Sequence, residues 1–443
     1  MSQISRDHLS GDGGLSSSGG QPRAGQKSGG YRYYVTGALT LAFTFNFLDR
    51  QILSILSEQI KAEFALSDTQ LGLLMGWAFA IFYTFFGIGL ARVADRTNRV
   101  NLISIAILFW SAMTALCAMA VNYVQLFVLR TMVGVGEAGL SPSAHSILSD
   151  YFRKEERGRA LSIYSMGTVL GQLLALLVGG YVGHKYGWRV AFVVVGAPGL
   201  LIALLLKLTI REPARGGTEE IPIKSTKPSL PVLAEIKALL SIPLYLYALI
   251  GHVLTAMFAY TLVAWIAPHY LRAFGLDESQ AGPMVAGILL FGGLPGLLFG
   301  GFVTDKMAKT NMAWLTRLPA LFVLAAFPIY LGALLSANMW TATALFALAT
   351  FALQASFAPP LSAIQHAAPV HSRAMAAALV FFFSNAIGLG MGPLIVGIIS
   401  DNGLIGFGPS NLAAGLMVIS VTLPLAAASL WRASRFLERE GVI

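Results

Sequence analysis

Four ionisable residues sit where a charge is costly. Asp49 and Arg50 lie in one apolar run and Arg130 and Glu137 in another. A charged side chain at the centre of a bilayer costs roughly 2.5–3.5 kcal/mol on insertion scales, so such residues face a protein interior and work there. Asp49 and Arg50 are chain neighbours, so on a helix they point ~100° apart and cannot pair with each other. Arg130 and Glu137 are seven apart, hence on one helix face about two turns apart. At a rise of ~1.5 Å per residue, Asp49 is expected about 12 Å below the outer end of its helix. Arg130 and Glu137 are expected about 9 Å and about 20 Å below the outer end of theirs. These depths put Asp49 opposite Arg130 and let Arg50 reach Glu137, a neutral cluster of two acids and two bases.

The chemistry this cluster suits is a proton switch. Burial favours a protonated carboxyl and an arginine partner favours an ionised one, so the balance is tunable. A proton on one carboxylate frees its arginine to hold an anionic head group, and the guanidinium fork grips two phosphate oxygens at once. Asp49 is the first-choice proton carrier and Glu137 the second, with Arg50 and Arg130 as head-group and gating candidates. The second half of the chain has no Asp, Glu, Lys or Arg deep inside its apolar runs, Arg317 and Arg373 standing near run ends. It offers Trp265, Phe291, Phe351, Phe357 and Phe382 with Gln354 and Asn385, expected to form an apolar substrate pocket. A polar wall facing an apolar one suits an amphipathic molecule.

Helices long enough to cross a membrane must position these groups, each needing roughly 20 apolar residues. Twelve runs qualify: 34–57, 69–91, 100–121, 124–148, 159–182 and 189–209, then 243–269, 280–304, 313–335, 339–365, 373–399 and 411–431. Composition agrees. Hydrophobic residues make up 56% of the chain and charged residues 12%, against about 25% charged in soluble domains, and mean hydropathy is +0.69. The expected organisation is all-α: a disordered polar tail (1–30), a six-helix bundle (31–210), a Pro- and Gly-containing linker (211–242), a second six-helix bundle (243–432) and a C-terminal tail (433–443). The first tail lacks an apolar core and does not read as a signal peptide.

The net charge of +9 is carried by the short loops. With the N-terminus inside, 24 of the 30 lysines and arginines fall on the cytoplasmic side and four outside, which predicts cytoplasmic termini. That distribution argues for a membrane rather than nucleic acid as the partner of the basic residues. Cys117 is the one cysteine, so no disulfide framework exists. No nucleotide-binding loop, catalytic triad spacing or metal-ligand spacing stands out, so neither an enzyme, a bound cofactor nor ATP drive is expected.

Ala91-Arg92-Val93-Ala94-Asp95-Arg96 follows the second run and Gly301-Phe302-Val303-Thr304-Asp305-Lys306 follows the eighth, an acid then a base at the same place in each half. Two parallel repeats of six spans are the major facilitator arrangement. Ala91, Asp95, Arg96 and Arg99 resemble that superfamily's loop signature, with Ala91 in place of its first Gly. Asp95-Arg96-Thr97-Asn98-Arg99, Phe47-Leu48-Asp49-Arg50, Val133-Gly134-Val135-Gly136-Glu137-Ala138, Arg153 to Arg159 and Arg211-Glu212-Pro213 resemble the spinster group.

The resemblance implies a proton-coupled lipid transporter working by rocker-switch alternating access on a lysophospholipid or sphingosine-phosphate-like substrate. It would be a monomer in a bacterial inner membrane, with the proton gradient as its energy source. A proton- or sodium-coupled organic-anion symporter is the alternative. The resemblance also implies a cytoplasmic gate of Asp95, Arg96, Arg99, Asp150 and Asp305. Asp95 is expected to cap the eleventh helix, Arg99 to pair with Asp150, and Asp305 to do the mirror job at the fifth helix, when the protein faces outward.

Overall fold

A computed structural model describes residues 29–94, 96–215, 231–403 and 410–440. All regular structure among them is helical. The first bundle comprises α1 (Gly29–Phe64), α2 (Asp68–Ala94), α3 (Arg99–Cys117), a split α4 (Tyr123–Glu137 and Leu140–Tyr151), α5 (Lys154–Tyr186) and α6 (Trp188–Thr209). The second comprises α7 (Pro243–Phe274), α8 (Glu278–Ala308), α9 (Trp314–Leu335), a split α10 (Met339–Ala355 and Pro359–Ala367), α11 (Arg373–Asn402) and α12 (Asn411–Ser420 and Thr422–Glu440).

Ten of these twelve are each long and apolar enough to cross a bilayer. The two that are not, α1 and α4, carry the four charged residues, and α4 is divided into pieces of 15 and 12 residues.

The repeat is visible in local chemistry. Ser67 with Gln70 and Asp277 with Gln280 form capping boxes that start α2 and α8. They lie 210 positions apart, as do the last residues of α1 and α7, Phe64 and Phe274. Asn122 and Asn338 cap α4 and α10 in the same way.

Three buried cores show how the halves meet. One core combines residues of both halves, from Leu48, Ile52 and Leu71 to Trp265, Tyr270 and Val396. The other two are confined to one half each, around Trp110 and Phe152 in the first and around Tyr245 and Leu379 in the second. The halves are therefore fused at one end, where α1 and α7 finish, and part at the end that bears both described termini.

Glycines make the fused end possible. A Cβ on Gly72 would lie 2.6 Å from the Pro393 carbonyl oxygen, and one on Gly282 would lie 2.2 Å from that of Leu176. Gly72 and Gly282 are again 210 apart, so α2 on α11 and α8 on α5 are the same seam built twice.

Two expected segments differ. The linker 211–242 contains a helix, Val232–Leu240, and its residues 216–230 lie outside the described residues. The expected tail from 433 is instead the last part of α12, with Ala433 and Leu437 buried and Glu438 paired to Arg317. The amphipathic spacing of those residues was hidden by the charges around them. Of the expected N-terminal tail, residues 1–28 lie outside the described residues.

Candidate functional site

Arg50 and Glu137 form the ion pair the sequence suggests, Nε to Oε2 at 2.6 Å. Their burial differs. The Glu137 side chain is 0% exposed and that of Arg50 is 18%, so the guanidinium fronts the carboxylate. Phe79, Tyr83 and Phe47 present ring faces 4.3, 4.5 and 5.1 Å from the guanidinium carbon, each a favourable cation–π arrangement. Glu137 is the last residue of the first piece of α4, just before the break at Ala138 and Gly139.

The expected Asp49–Arg130 ion pair is absent. Arg130 Nη1 donates instead to the backbone carbonyl of Asp49, at 3.1 Å. The reason lies in α1, which runs to Phe64, seven residues past the expected end at 57. Asp49 thus lies about 22 Å from the end of its helix rather than about 12 Å, while Arg130 stays about 10 Å from the start of α4. The Asp49 carboxyl faces Trp110 and Thr114, both fully buried.

Around these residues the first bundle holds buried polar atoms without a hydrogen-bond partner: both amide atoms of Asn46, Asp49 Oδ1, Thr114 Oγ1, Arg130 Nε and Glu137 Oε1. Buried polar groups are nearly always satisfied, so a cluster of such atoms around two carboxyls singles out this place as a candidate site.

The seven residues expected to form one apolar pocket are dispersed. Trp265 is 0% exposed, and its Nε1 donates to the Pro393 carbonyl at 3.0 Å within the fused end. Phe291 is 75% exposed and shares an outer stripe of α8 with Leu298 and Phe302, the pattern of a lipid-facing surface. Phe351 packs on Phe299 between α10 and α8, Gln354 lies against Gly293, and Phe357 lies beside His252. Asn385 bonds within its own helix, to the Phe381 carbonyl at 2.8 Å. Of the seven, Phe382 reaches a first-half ring, Phe85, at 6.3 Å between centroids. Residue type alone does not separate a cleft-facing aromatic from a lipid-facing one, because both surfaces are apolar.

At the terminus-bearing end, Arg99 pairs with Asp150 at 2.5 Å. It also meets Glu212 at 2.6 Å, Ser146 Oγ at 2.7 Å and the Pro213 carbonyl at 3.0 Å. Glu212 additionally accepts the Val100 N–H at the start of α3, at 3.0 Å. Glu212 stands in the Arg211-Glu212-Pro213 motif, whose residue types carry no sign of this partner. Arg96 and Asp305 are exposed, Asp305 has no ion pair among the described residues, and Asp95 lies outside them. Replacing Arg99 with Ala strands two partly buried acids together. The expected cost is about 3 kcal/mol, measured as a fall of several degrees in the thermal unfolding midpoint of the purified protein.

The fused end carries a network the sequence did not disclose. Arg272 of α7 binds Glu58 at 2.7 Å and Asp68 at 2.6 Å. Lys61 and Ser400 also reach Asp68, each at 2.5 Å. Asp401, at the end of α11, accepts the backbone N–H groups of Asp68 and Thr69 at 2.8 and 2.7 Å. It caps α2 from the other half and places an anion at a helix N-terminus. These charges stand at span ends, where a solvated charge is the ordinary expectation, so their types and spacing carry no signal.

The arrangement of the helices is shared with known proteins. Residues 39–393 match the model of the Major Facilitator Superfamily. A crystal structure of a bacterial homolog to the human lysosomal transporter Spinster, in inward-facing and unoccupied conformation, superposes with a TM-score of 0.82 at 31% identity, covering 94% of this chain and 99% of that one. The chain belongs to the major facilitator superfamily, in its spinster-like branch. As a member of that superfamily it is a multi-pass membrane transporter. Among its relatives, an MFS-type efflux pump of Mycolicibacterium smegmatis is 29% identical over 91% of this chain and 93% of its own length. A hexuronate transporter of Bacillus subtilis is 28% identical over 86% and 91%.

Proposed function

We propose that this spinster-like transporter is a proton-coupled carrier of an amphipathic anion, with the Arg50–Glu137 pair as the coupling element. The observation that carries the reading is the geometry of that pair: a cation on the exposed side, its carboxylate fully buried behind it, and one carboxylate oxygen without a partner. A proton on Glu137 removes the charge that holds Arg50. The freed guanidinium then takes the head group, and the rings of Phe47, Phe79 and Tyr83 offer apolar contact to the part of the substrate next to the head. Asp49 is the second carboxylate, and Arg130 holds α1 to α4 through the Asp49 carbonyl. Lysophospholipids and sphingoid phosphates combine an anionic head with an apolar chain and fit this description.

The halves part at the terminus-bearing end, which the lysine and arginine distribution makes cytoplasmic. In this reading the protein sits in a bacterial inner membrane and faces inward. Arg96 and Asp305, with Asp95, then belong to a gate that closes on the outward-facing state, whereas the Arg99–Asp150 pair, expected only in that state, is already formed within the first bundle and is a structural clamp. Exposure of Arg96 and Asp305 agrees with an open gate.

The hexuronate transporter among the relatives favours a second reading, in which the anion is a water-soluble sugar acid. Proteoliposomes with an imposed pH gradient separate the two. The expected result is gradient-dependent movement of lysophosphatidate or sphingosine phosphate and none of glucuronate. The reverse result establishes the second reading, and transport indifferent to the gradient removes proton coupling.

A further inference from the structure

The 210-residue repeat pairs Arg50 of α1 with Tyr260 of α7. Each is 14 residues from the last residue of its helix, Phe64 or Phe274, so each lies about 21 Å from the fused end. Glu137 is also 14 residues from the start of α4, Tyr123. At this depth the first half presents a cation and the second presents a phenol.

The two approach the same place. Gln51, the neighbour of Arg50, donates to the Val263 carbonyl of α7 at 3.0 Å, less than one turn along that helix from Tyr260, and Tyr83 lies against the Arg50 guanidinium. The α7 neighbourhood that seats Tyr260 is specialised. Gly388 lies in a π-helical stretch of α11, Ser384–Leu389, and a Cβ there would stand 3.4 Å from Tyr260 Cδ2 and 3.2 Å from the Met257 nitrogen. Insertions of this kind in a helix recur at functional sites.

We infer that Tyr260 is a specificity-determining residue, supplying from the second half a phenolic O–H to the anionic head group that Arg50 holds from the first. The inference rests on the anion-carrier reading above. It adds that the head-group site is shared between the halves and has one cation. Arg50 selects for negative charge. Tyr260 adds a directional donor, which a phosphate or carboxylate oxygen can use and a neutral ester or hydroxyl head uses poorly. Because the donor and the cation belong to different bundles, a bound anion also ties the halves together at mid-depth, below the fused end.

Tyr260→Phe tests this, since it keeps the ring on Gly388 and removes only the O–H. Binding of lysophosphatidate, glucuronate and a neutral monoacylglycerol to the purified full chain is measured by titration, with no pH gradient. A hydrogen bond to a charged group is worth on the order of a tenfold change in affinity. The expected result is that much weaker binding of whichever anion the unsubstituted protein takes, with monoacylglycerol unchanged and the unfolding midpoint preserved. Equal binding of the anion by both proteins overturns the inference, as does parallel weakening of the neutral lipid. An unsubstituted protein that binds neither anion overturns the inference and the carrier reading together. Loss of proton coupling in the transport assay, with the Tyr260→Phe binding difference intact, removes only the coupling.

Discussion

In the Glu137→Gln variant, transport is expected to continue down a substrate gradient and to show no response to a pH gradient. Gln keeps the shape of Glu and can still accept from Arg50 Nε, the contact seen at 2.6 Å, but it cannot take up or release a proton. Each unit of pH gradient supplies about 1.4 kcal/mol per proton, which is a tenfold accumulation ratio. The variant is expected to lose that factor entirely. Arg50 is left without its anion, a loss softened by its partial exposure and its three ring neighbours. The variant should therefore still fold, which its yield from membranes and a single gel-filtration peak would check. Asp49→Asn is the companion. If it abolishes gradient-driven transport and Glu137→Gln does not, the proton is carried by the other carboxylate. If neither does, the coupling mechanism is wrong.

The second large effect is conformational. Gly282→Ala places a methyl group where the Leu176 carbonyl oxygen stands, 2.2 Å from the new carbon. Both are backbone-bound, so α8 and α5 must separate. Overpacking of this kind costs roughly 1–3 kcal/mol, and here it burdens only the state in which this end is closed. The closed population should fall relative to the alternative by about 5- to 150-fold. Spin labels on cysteines replacing Ala62 and Ala273, both exposed at the fused ends of α1 and α7, report the change in a background where Cys117 is replaced by Ser. A longer distance should appear in the variant and a single short one in the parent. Gly72→Ala, at the equivalent place in the other seam, should act in the same direction. An unchanged distance distribution in both variants would mean that the glycines are ordinary packing residues and not a hinge surface.

Arg50 and Glu137 could be paired from sequence because two acids and two bases are the deep charges of the apolar runs, and because adjacency keeps Asp49 and Arg50 apart and a spacing of seven sets Arg130 and Glu137 two turns apart on one helix. Asp49 and Arg130 could not, since that pairing needed the length of α1 beyond the apolar run. Arg99 and Asp150 were legible through a loop signature, whereas Glu212 entered their cluster only when the chain after α6 folded back against α3. Trp265 and Phe291 were indistinguishable in sequence, yet one is sealed in the fused end and the other faces outward.

By itself, the sequence determined that this chain lives in a membrane, that it has two six-helix repeats, and that its deeply placed charges belong to the first and fourth helices. Lipid enforces all three, because a charge or an unpaired backbone group inside it is costly enough to leave a mark on composition and spacing. The tertiary structure decided which end is shut, which residues shut it, and which aromatic residues meet the cleft. Those depend on how two bundles lean together, and nearly equal energies of lipid-facing and protein-facing apolar groups leave no trace of that in the order of residues.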